Sequence, residues 1–317
     1  MALGEFELIA RYFTGDRFAY QPGAGVVLGV SDDCAILRVP DGEDLLVSID
    51  TLVAGVHFPA RLDPAHIAHR ALAVNLSDLA AMGARPLWFT LALTLPAIDE
   101  HWLAAFADAL AVLAQRFGIA LVGGDTTSGP LSITIQVHGA APAGSALRRS
   151  GARPADEVWV SGTPGLAALG LRHVLAGSRD TVAARTFLRP EPRIALGSAL
   201  RGVASAAIDV SDGLLADAAH IAERSRVALV IEPWQLPLAP ELAALAERDD
   251  ALSLALGGGD DYELCFTAAP GRAPAIGTIA AGLGVACTRI GRVEAGEGAR
   301  CTGFVPRRAG YRHFADD

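Results

Sequence analysis

One pattern recurs along this chain: a small or β-branched residue followed by aspartate, placed where an apolar run ends or a helix turns. It occurs at Ser31-Asp32-Asp33, Ser48-Ile49-Asp50, Ser77-Asp78, Gly123-Gly124-Asp125, Asp209-Val210-Ser211-Asp212 and Gly258-Gly259-Asp260-Asp261. A single aspartate in such a place is usually solvated or shapes a turn. So many at the mouths of buried elements would repel one another unless a cation sat between them. Magnesium fits, because it takes hard oxygen ligands and commonly bridges protein carboxylates to phosphates. The fold must then bring the ends of several strands and helices to a shared ligand.

The chain narrows the chemistry further by what it lacks. All 26 basic residues are arginine, with no lysine. A Walker P-loop places a lysine on the β/γ-phosphates, protein kinases place one on their third strand, and Schiff-base enzymes use one as nucleophile. None of these mechanisms is open here. The net charge of −9 argues against a general nucleic-acid surface. An apolar fraction of 51% against 19% charged residues suits a globular enzyme rather than a disordered chain. No apolar run is long enough to span a bilayer, and Glu5 stands where a secretory signal carries basic residues, so a cytoplasmic protein is expected. Cys34, Cys265, Cys287 and Cys301 lack metal-ligand spacing and are expected to be reduced core thiols.

At 317 residues the chain has room for two domains. The expected boundary is the Gly-, Pro- and Arg-rich stretch 144–156, giving domains over 1–145 and 146–317. In the first, Leu45 to Thr51 reads as a strand delivering Asp50. Asp63-Pro64 opens a helix that runs to about Met82 and closes at Gly83. Asn75 and Asp78 share one face of that helix, while His66 and His69 are expected on its exterior. Trp88 to Leu95 reads as a strand, Asp99 caps a helix that stops at Gly118, and Ala120 to Val122 is a short strand ending at the Gly123-Gly124 turn. Hairpin-like strand pairs suggest α+β packing, with mixed sheets and flanking helices. In the second domain, strands are expected at Glu157 to Ser161, Ala206 to Asp209, Val227 to Ile231, Leu264 to Thr267 and Thr288 to Val293. A helix is expected from Leu214 to Arg224.

Each candidate feature also has an ordinary explanation. Gly123-Gly124-Asp125 could let backbone amides approach a phosphate while the acid holds a metal, or could simply be a tight turn. Ser211 and Asp212 sit where a helix cap would sit, but the preceding Asp209 ends a buried strand, where an acid is costly unless paired or metal-bound. Arg148, Arg149 and Arg153 form either a phosphate contact or a solvated basic loop. His57 alone is more often structural than catalytic. Trp88, Trp102 and Trp159 read as core.

Taken together, several segments resemble the thiamine-monophosphate kinase family. They are Gly4 to Ile9, Ser31 to Ala35, Asp50 to Phe58, Ala73 to Ala84, Gly123 to Thr127, Asp209 to Leu214 and Asp261 to Leu264. The Asn75-Leu76-Ser77-Asp78 helix alone indicates only the wider aminoimidazole ribonucleotide synthetase-like (PurM-like) superfamily. The resemblance implies a two-domain α+β fold, with an N-terminal metal- and ATP-binding domain through which a homodimer forms and a C-terminal domain closing the active-site cleft. It implies transfer of the γ-phosphoryl of ATP onto thiamine monophosphate. By the family pattern, Asp33, Ser48, Asp50, Asp78, Asp125, Asp209 and Asp212 would hold several Mg2+ ions. Gly124, Asp125, Arg149 and Ser211 would meet ATP, and His57, Glu263 and Tyr311 would meet the thiamine moiety. Two positions depart from the pattern. Ile49 replaces a frequent threonine, leaving only its carbonyl for a metal, and Ser31 replaces a glycine, which would tighten the turn before the two acids.

Joining two anionic phosphates is opposed mainly by electrostatic repulsion, which bound cations relieve. The acceptor is already ionised at neutral pH, its second pKa being about 6, so no general base is expected. The alternatives are another ATP-dependent enzyme of the superfamily, such as aminoimidazole ribonucleotide synthetase, or a non-catalytic divalent-cation-binding protein. Against the latter, the chain has no Asp-x-Asp-x-Asp-Gly calcium loop with a distal glutamate. Selenophosphate synthetase is disfavoured by the missing lysine, and the hydrogenase-maturation carbamoyl dehydratase by a C-terminus without cysteine.

Overall fold

A computed structural model of the chain describes residues 4–21, 23–30 and 32–311. Two compact units emerge: Met1–Leu79 with Ala84–Gly144, and Ala80–Gly83 with Ser145–Asp317.

The first unit contains α1 (Glu5–Tyr12), β1 (Val26–Leu28), β2 (Ile36–Leu37), β3 (Glu43–Val53), most of α2 (Pro64–Ala81), β4 (Arg85–Leu95), α3 (Glu100–Phe117), β5 (Ala120–Ser128) and β6 (Ser132–Pro142). Its main sheet has the order β3-β6-β4-β5. The expectation of hairpin-like pairs is corrected here: β5 and β6 follow one another in sequence, yet β4 lies between them, parallel to β5 and antiparallel to β6. The α3 crossover makes β4-α3-β5 a parallel unit, which two-residue turns cannot build. Along β6, Ile133, Ile135 and Val137 are buried, while Thr134, Gln136 and His138 alternate with them on the more open face. The same alternation puts Ser48 and Asp50 on one side of β3 and leaves Val47 and Ile49 exposed on the other. Asp99 caps α3 by accepting the N–H groups of His101 and Trp102, and Gly118 closes it at φ 63°. Buried Leu103, Phe106, Leu110 and Leu113 form its apolar stripe.

The second unit contains β7 (Glu157–Ser161), α4 (Leu166–Leu175), α5 (Val182–Leu188), α6 (Ile194–Leu200), β8 (Ala206–Asp209), α7 (Leu214–Ser225), β9 (Ala228–Ile231), α8 (Pro240–Ala243), α9 (Arg248–Gly257), β10 (Leu264–Ala268), α10 (Ala273–Leu283), β11 (Cys287–Glu294) and β12 (Ala299–Cys301). The sheet order is β12-β9-β11-β7-β10-β8, antiparallel except for β12 beside β9. Neighbouring residues of β7 feed different cores. Val158 and Val160 pack with Leu214, Ala218 and Ile221 of α7, whereas Trp159 packs with Phe266, Leu196 and Ile276. Helices therefore cover both faces, as a strand buried throughout requires. The last turn of α2 joins this unit: Leu147 donates its N–H to Met82 O, and Arg201 bonds to Gly83 O.

Three smaller expectations change. Cys34 is exposed rather than buried, because it sits in the loop after β1. His66 and His69 are half-buried, and so is Trp102, which stacks on Phe106 at 5.0 Å. Ser31 lies outside the described residues.

Candidate functional site

In the first unit the polar residues gather where β3 meets α2. Ser48 Oγ donates to Asp78 Oδ2 at 2.5 Å. Two residues along the strand, the Asp50 N–H donates to Asn75 Oδ1 at 3.1 Å, and Asn75 Nδ2 donates to Ala71 O at 2.9 Å. Asn75, fully buried, thus pins the strand to the helix. Ser48, Asp50 and Asp78 themselves remain half-buried. Ile49 points to the opposite face and is 59% exposed. His57 follows the turn after β3 and accepts the Val53 N–H on Nδ1 at 3.0 Å. An accepting Nδ1 leaves a neutral ring with its proton on Nε2.

Asp33 is exposed, its N–H bonded to Asp32 Oδ1 at 2.8 Å. Gly124 and Asp125 lie inside β5, not in a turn beyond it, paired with Leu91 and Ala92. This corrects the strand end expected at Val122, where two glycines read as punctuation. The close approach of β4 demands one of them: a Cβ on Gly124 would stand 1.9 Å from Leu91 O. Asp125 is exposed, at a register position shared with Thr134 of β6 and Thr51 of β3.

In the second unit, the turn 210–213 between β8 and α7 is the hub. Val210 N–H bonds to Glu263 O, Tyr262 N–H to Val210 O, Asp260 N–H to Ser211 O and Tyr311 N–H to Asp212 O. Asp209, Ser211, Asp212, Glu263 and Tyr311, far apart in sequence, are thereby brought together. Asp209 is 5% exposed, Ser211 open and Asp212 intermediate. Arg149 is exposed, and its carbonyl accepts Ser225 Oγ at 3.0 Å, which fixes the backbone that carries it.

Glu263 is not an open carboxylate. Arg193 grips it with Nε at 2.7 Å and an Nη at 2.5 Å, and Ser161 Oγ donates to it at 2.5 Å. Burial works against the charge of Arg193, but the bonds and charge of Glu263 outweigh it and raise the guanidinium above its ordinary value. A Cβ on Gly162 would strike the same carboxylate at 2.0 Å. Asp261, in the last of the recurring acidic turns, is 5% exposed and accepts the N–H groups of Gly165 and Ala167 at the start of α4. Burial pushes its pKa well above the ordinary carboxylate value despite those donors.

Sequence reasoning missed Arg193, Ser161 and Asp217. Asp217, 2% exposed, accepts three backbone N–H groups of the hub turn. Burial pushes its carboxyl up to about 7, with the Gly213 N–H pulling down and the Asp212 charge adding to the rise. The usable signal was an acid on the apolar stripe of α7, between Leu214 and Ala218.

Among the described residues, no group of three or more His, Cys, Asp or Glu side chains is drawn close enough to hold a metal. Magnesium does not need such a cage: it keeps waters and binds through one or two carboxylates plus substrate phosphates. The all-oxygen set of Ser48, Asp50 and Asp78, with the strand locked to the helix by Asn75, fits that hard cation.

Residues 31–141 match the family described as AIR synthase related protein, N-terminal domain. Over 301 residues, 93% of this chain and 92% of the relative, the sequence is 50% identical to thiamine-monophosphate kinase of Salmonella typhimurium. Among solved structures, thiamine-monophosphate kinase from Stenotrophomonas maltophilia K279a is similar at 46% identity and TM-score 0.84, with 96% of each chain covered. AaThiL complexed with AMPPCP and TMP is similar at 31% identity and TM-score 0.79, with 99% of each chain covered.

Proposed function

The chain belongs to the thiamine-monophosphate kinase family, and from that premise we propose that it transfers the γ-phosphoryl group of ATP to the phosphate of thiamine monophosphate, giving thiamine diphosphate and ADP. The observation that carries this is full-length similarity to a relative complexed with AMPPCP, a β,γ-methylene analogue of ATP, and TMP. The chemistry of the chain agrees with it. With no lysine to neutralise phosphates, the residues suited to the task are acids that recruit cations and arginines that bind phosphate directly.

In this proposal Asp33, Ser48, Asp50, Asp78, Asp125, Asp209 and Asp212 hold Mg2+, with Asn75 fixing the strand that presents Asp50. When bound, the cation neutralises charge between the two phosphates. Arg149, Ser211, Gly124 and Asp125 face ATP. The reacting phosphate oxygen of thiamine monophosphate is already deprotonated, so no side chain acts as general base. His57 offers its Nε2–H to the substrate, and Tyr311 offers its half-exposed ring. Glu263, its charge balanced by Arg193, serves as a fixed wall rather than a lone counter-ion.

A homodimer is supported by the open face of β3, where Leu45, Val47 and Ile49 are exposed in alternate positions. No described helix is long and apolar enough to cross a membrane. Dependence on ATP and four free cysteines support a cytoplasmic enzyme.

Incubation with ATP, thiamine monophosphate and Mg2+, followed by chromatography, tests the proposal. Thiamine diphosphate and ADP are expected in equal amounts, with both lost on adding EDTA. ADP without thiamine diphosphate, or no turnover with all components present, would overturn it.

A further inference from the structure

Asp217 does more than cap a helix. Its Oδ2 accepts the N–H groups of Ser211, Asp212 and Gly213 at 3.0, 3.1 and 3.0 Å. The residue stands on the first turn of α7 and reaches back to the three residues that precede the helix. Three consecutive amides aimed at one point form a concavity of the kind that elsewhere receives a phosphate oxygen. Here a buried carboxylate of the protein fills it. Those amides are therefore engaged, and the turn can offer a ligand only its side chains.

The remaining backbone groups of the turn are engaged as well. The carbonyls of Val210, Ser211 and Asp212 accept from Tyr262, Asp260 and Tyr311. Without Asp217 the amide side of the turn would lose these bonds to α7, and three N–H groups would need other partners. The turn could meet that need by rotating its peptides, which would re-aim Ser211 and Asp212.

We propose that Asp217 is a positioning residue for phosphoryl transfer: it holds the 211–213 turn in the one conformation that points Ser211 and Asp212 at the cation-bound nucleotide. This rests on the kinase assignment, in which Ser211 and Asp212 meet ATP and Mg2+. It assigns to Asp217 no contact with substrate, nucleotide or metal.

Calorimetric titration of the full-length protein with Mn2+ and AMPPCP tests it, beside wild type, Asp217→Asn and Asp217→Ala. Asn keeps one acceptor oxygen for the three donors and Ala keeps none, so affinity should fall in the order wild type, Asn, Ala. The loss for Asp217→Ala should be about tenfold or more, the range seen when partners behind metal ligands are removed. The KM for thiamine monophosphate should stay near that of wild type in any variant that turns over. Thermal melting of each variant separates misfolding from a binding defect. If Asp217→Ala does not fold, Asp217→Asn decides alone. A variant that melts lower yet binds Mn2+–AMPPCP like wild type would reduce Asp217 to a structural cap and overturn the proposal. An equal loss toward thiamine monophosphate would also overturn it. Failure of wild type to bind Mn2+–AMPPCP would instead indict the kinase assignment.

Discussion

Around β3 and α2, Ser48, Asp50 and Asp78 stand half-buried on regular elements, whereas around the β8–α7 turn Asp217, Asp261 and Glu263 are almost wholly buried and bonded to backbone amides or to Arg193. The two groups look alike in sequence, since both supply an acid after a small residue or a turn. Exposure and partner separate them. A carboxylate that keeps part of its surface open can exchange water for a cation at modest cost. One that already accepts two or three N–H bonds in a buried setting would have to leave those donors unsatisfied. The half-buried acids of β3 and α2 are therefore suited to cations, whereas Asp217, Asp261 and Glu263 shape the loops that present Asp209, Ser211 and Asp212.

The contrast breaks most easily at Asp50. Asp50→Asn should lower kcat/KM by about two to three orders of magnitude at fixed Mg2+, on the scale of a lost metal ligand, with little change in melting temperature. Unaltered steady-state kinetics would remove the first half of the comparison. Arg193→Met should act on the fold instead. It leaves Glu263 without its cation, and since the Arg193 side chain keeps 21% exposure, the cost should lie at the low end for a broken buried pair, about 3 kcal/mol in a urea melt. Asp261→Ala should cost somewhat less, about 2 kcal/mol, because it orphans the amides of Gly165 and Ala167 without stranding a charge. Its kcat should be little changed, and a collapse of turnover with full stability would place Asp261 among the cation ligands after all. The smallest effect is chemical rather than energetic. Burial pushes Cys265 up to about 12 and Cys287 and Cys301 up to about 11, the last two with less burial and Cys287 also beside Glu263. Raised values keep those groups as unreactive thiols at pH 8, so a thiol reagent should label exposed Cys34 in the native protein and the other three only after denaturation.

The sequence made much of this architecture legible because most elements carry local signals. Asp63-Pro64 and Gly83 bracket α2, Asp99 and Gly118 bracket α3, and the runs at Glu157 to Ser161 and Ala206 to Asp209 are strands as expected. What it hid was non-local. Nothing in residues 120–128 says that β4 will run beside them, so Gly123-Gly124 read as a turn although the pair lies in a strand whose neighbour leaves no room for a Cβ on Gly124. In the same way, Gly258-Gly259-Asp260-Asp261 resembled a ligand loop, and only the distant start of α4 shows where the Asp261 carboxylate goes. Arg193 lies 70 residues from Glu263, with no spacing rule to join them.

The most direct measurement is anomalous diffraction from crystals grown with Mn2+, AMPPCP and thiamine monophosphate. Manganese peaks should fall against the carboxylates of Asp50 and Asp78, with none against Asp217 or Asp261. Peaks on the two buried acids, or well-ordered nucleotide with no peak near Asp50 and Asp78, would contradict the division between acids that hold cations and acids that hold the chain.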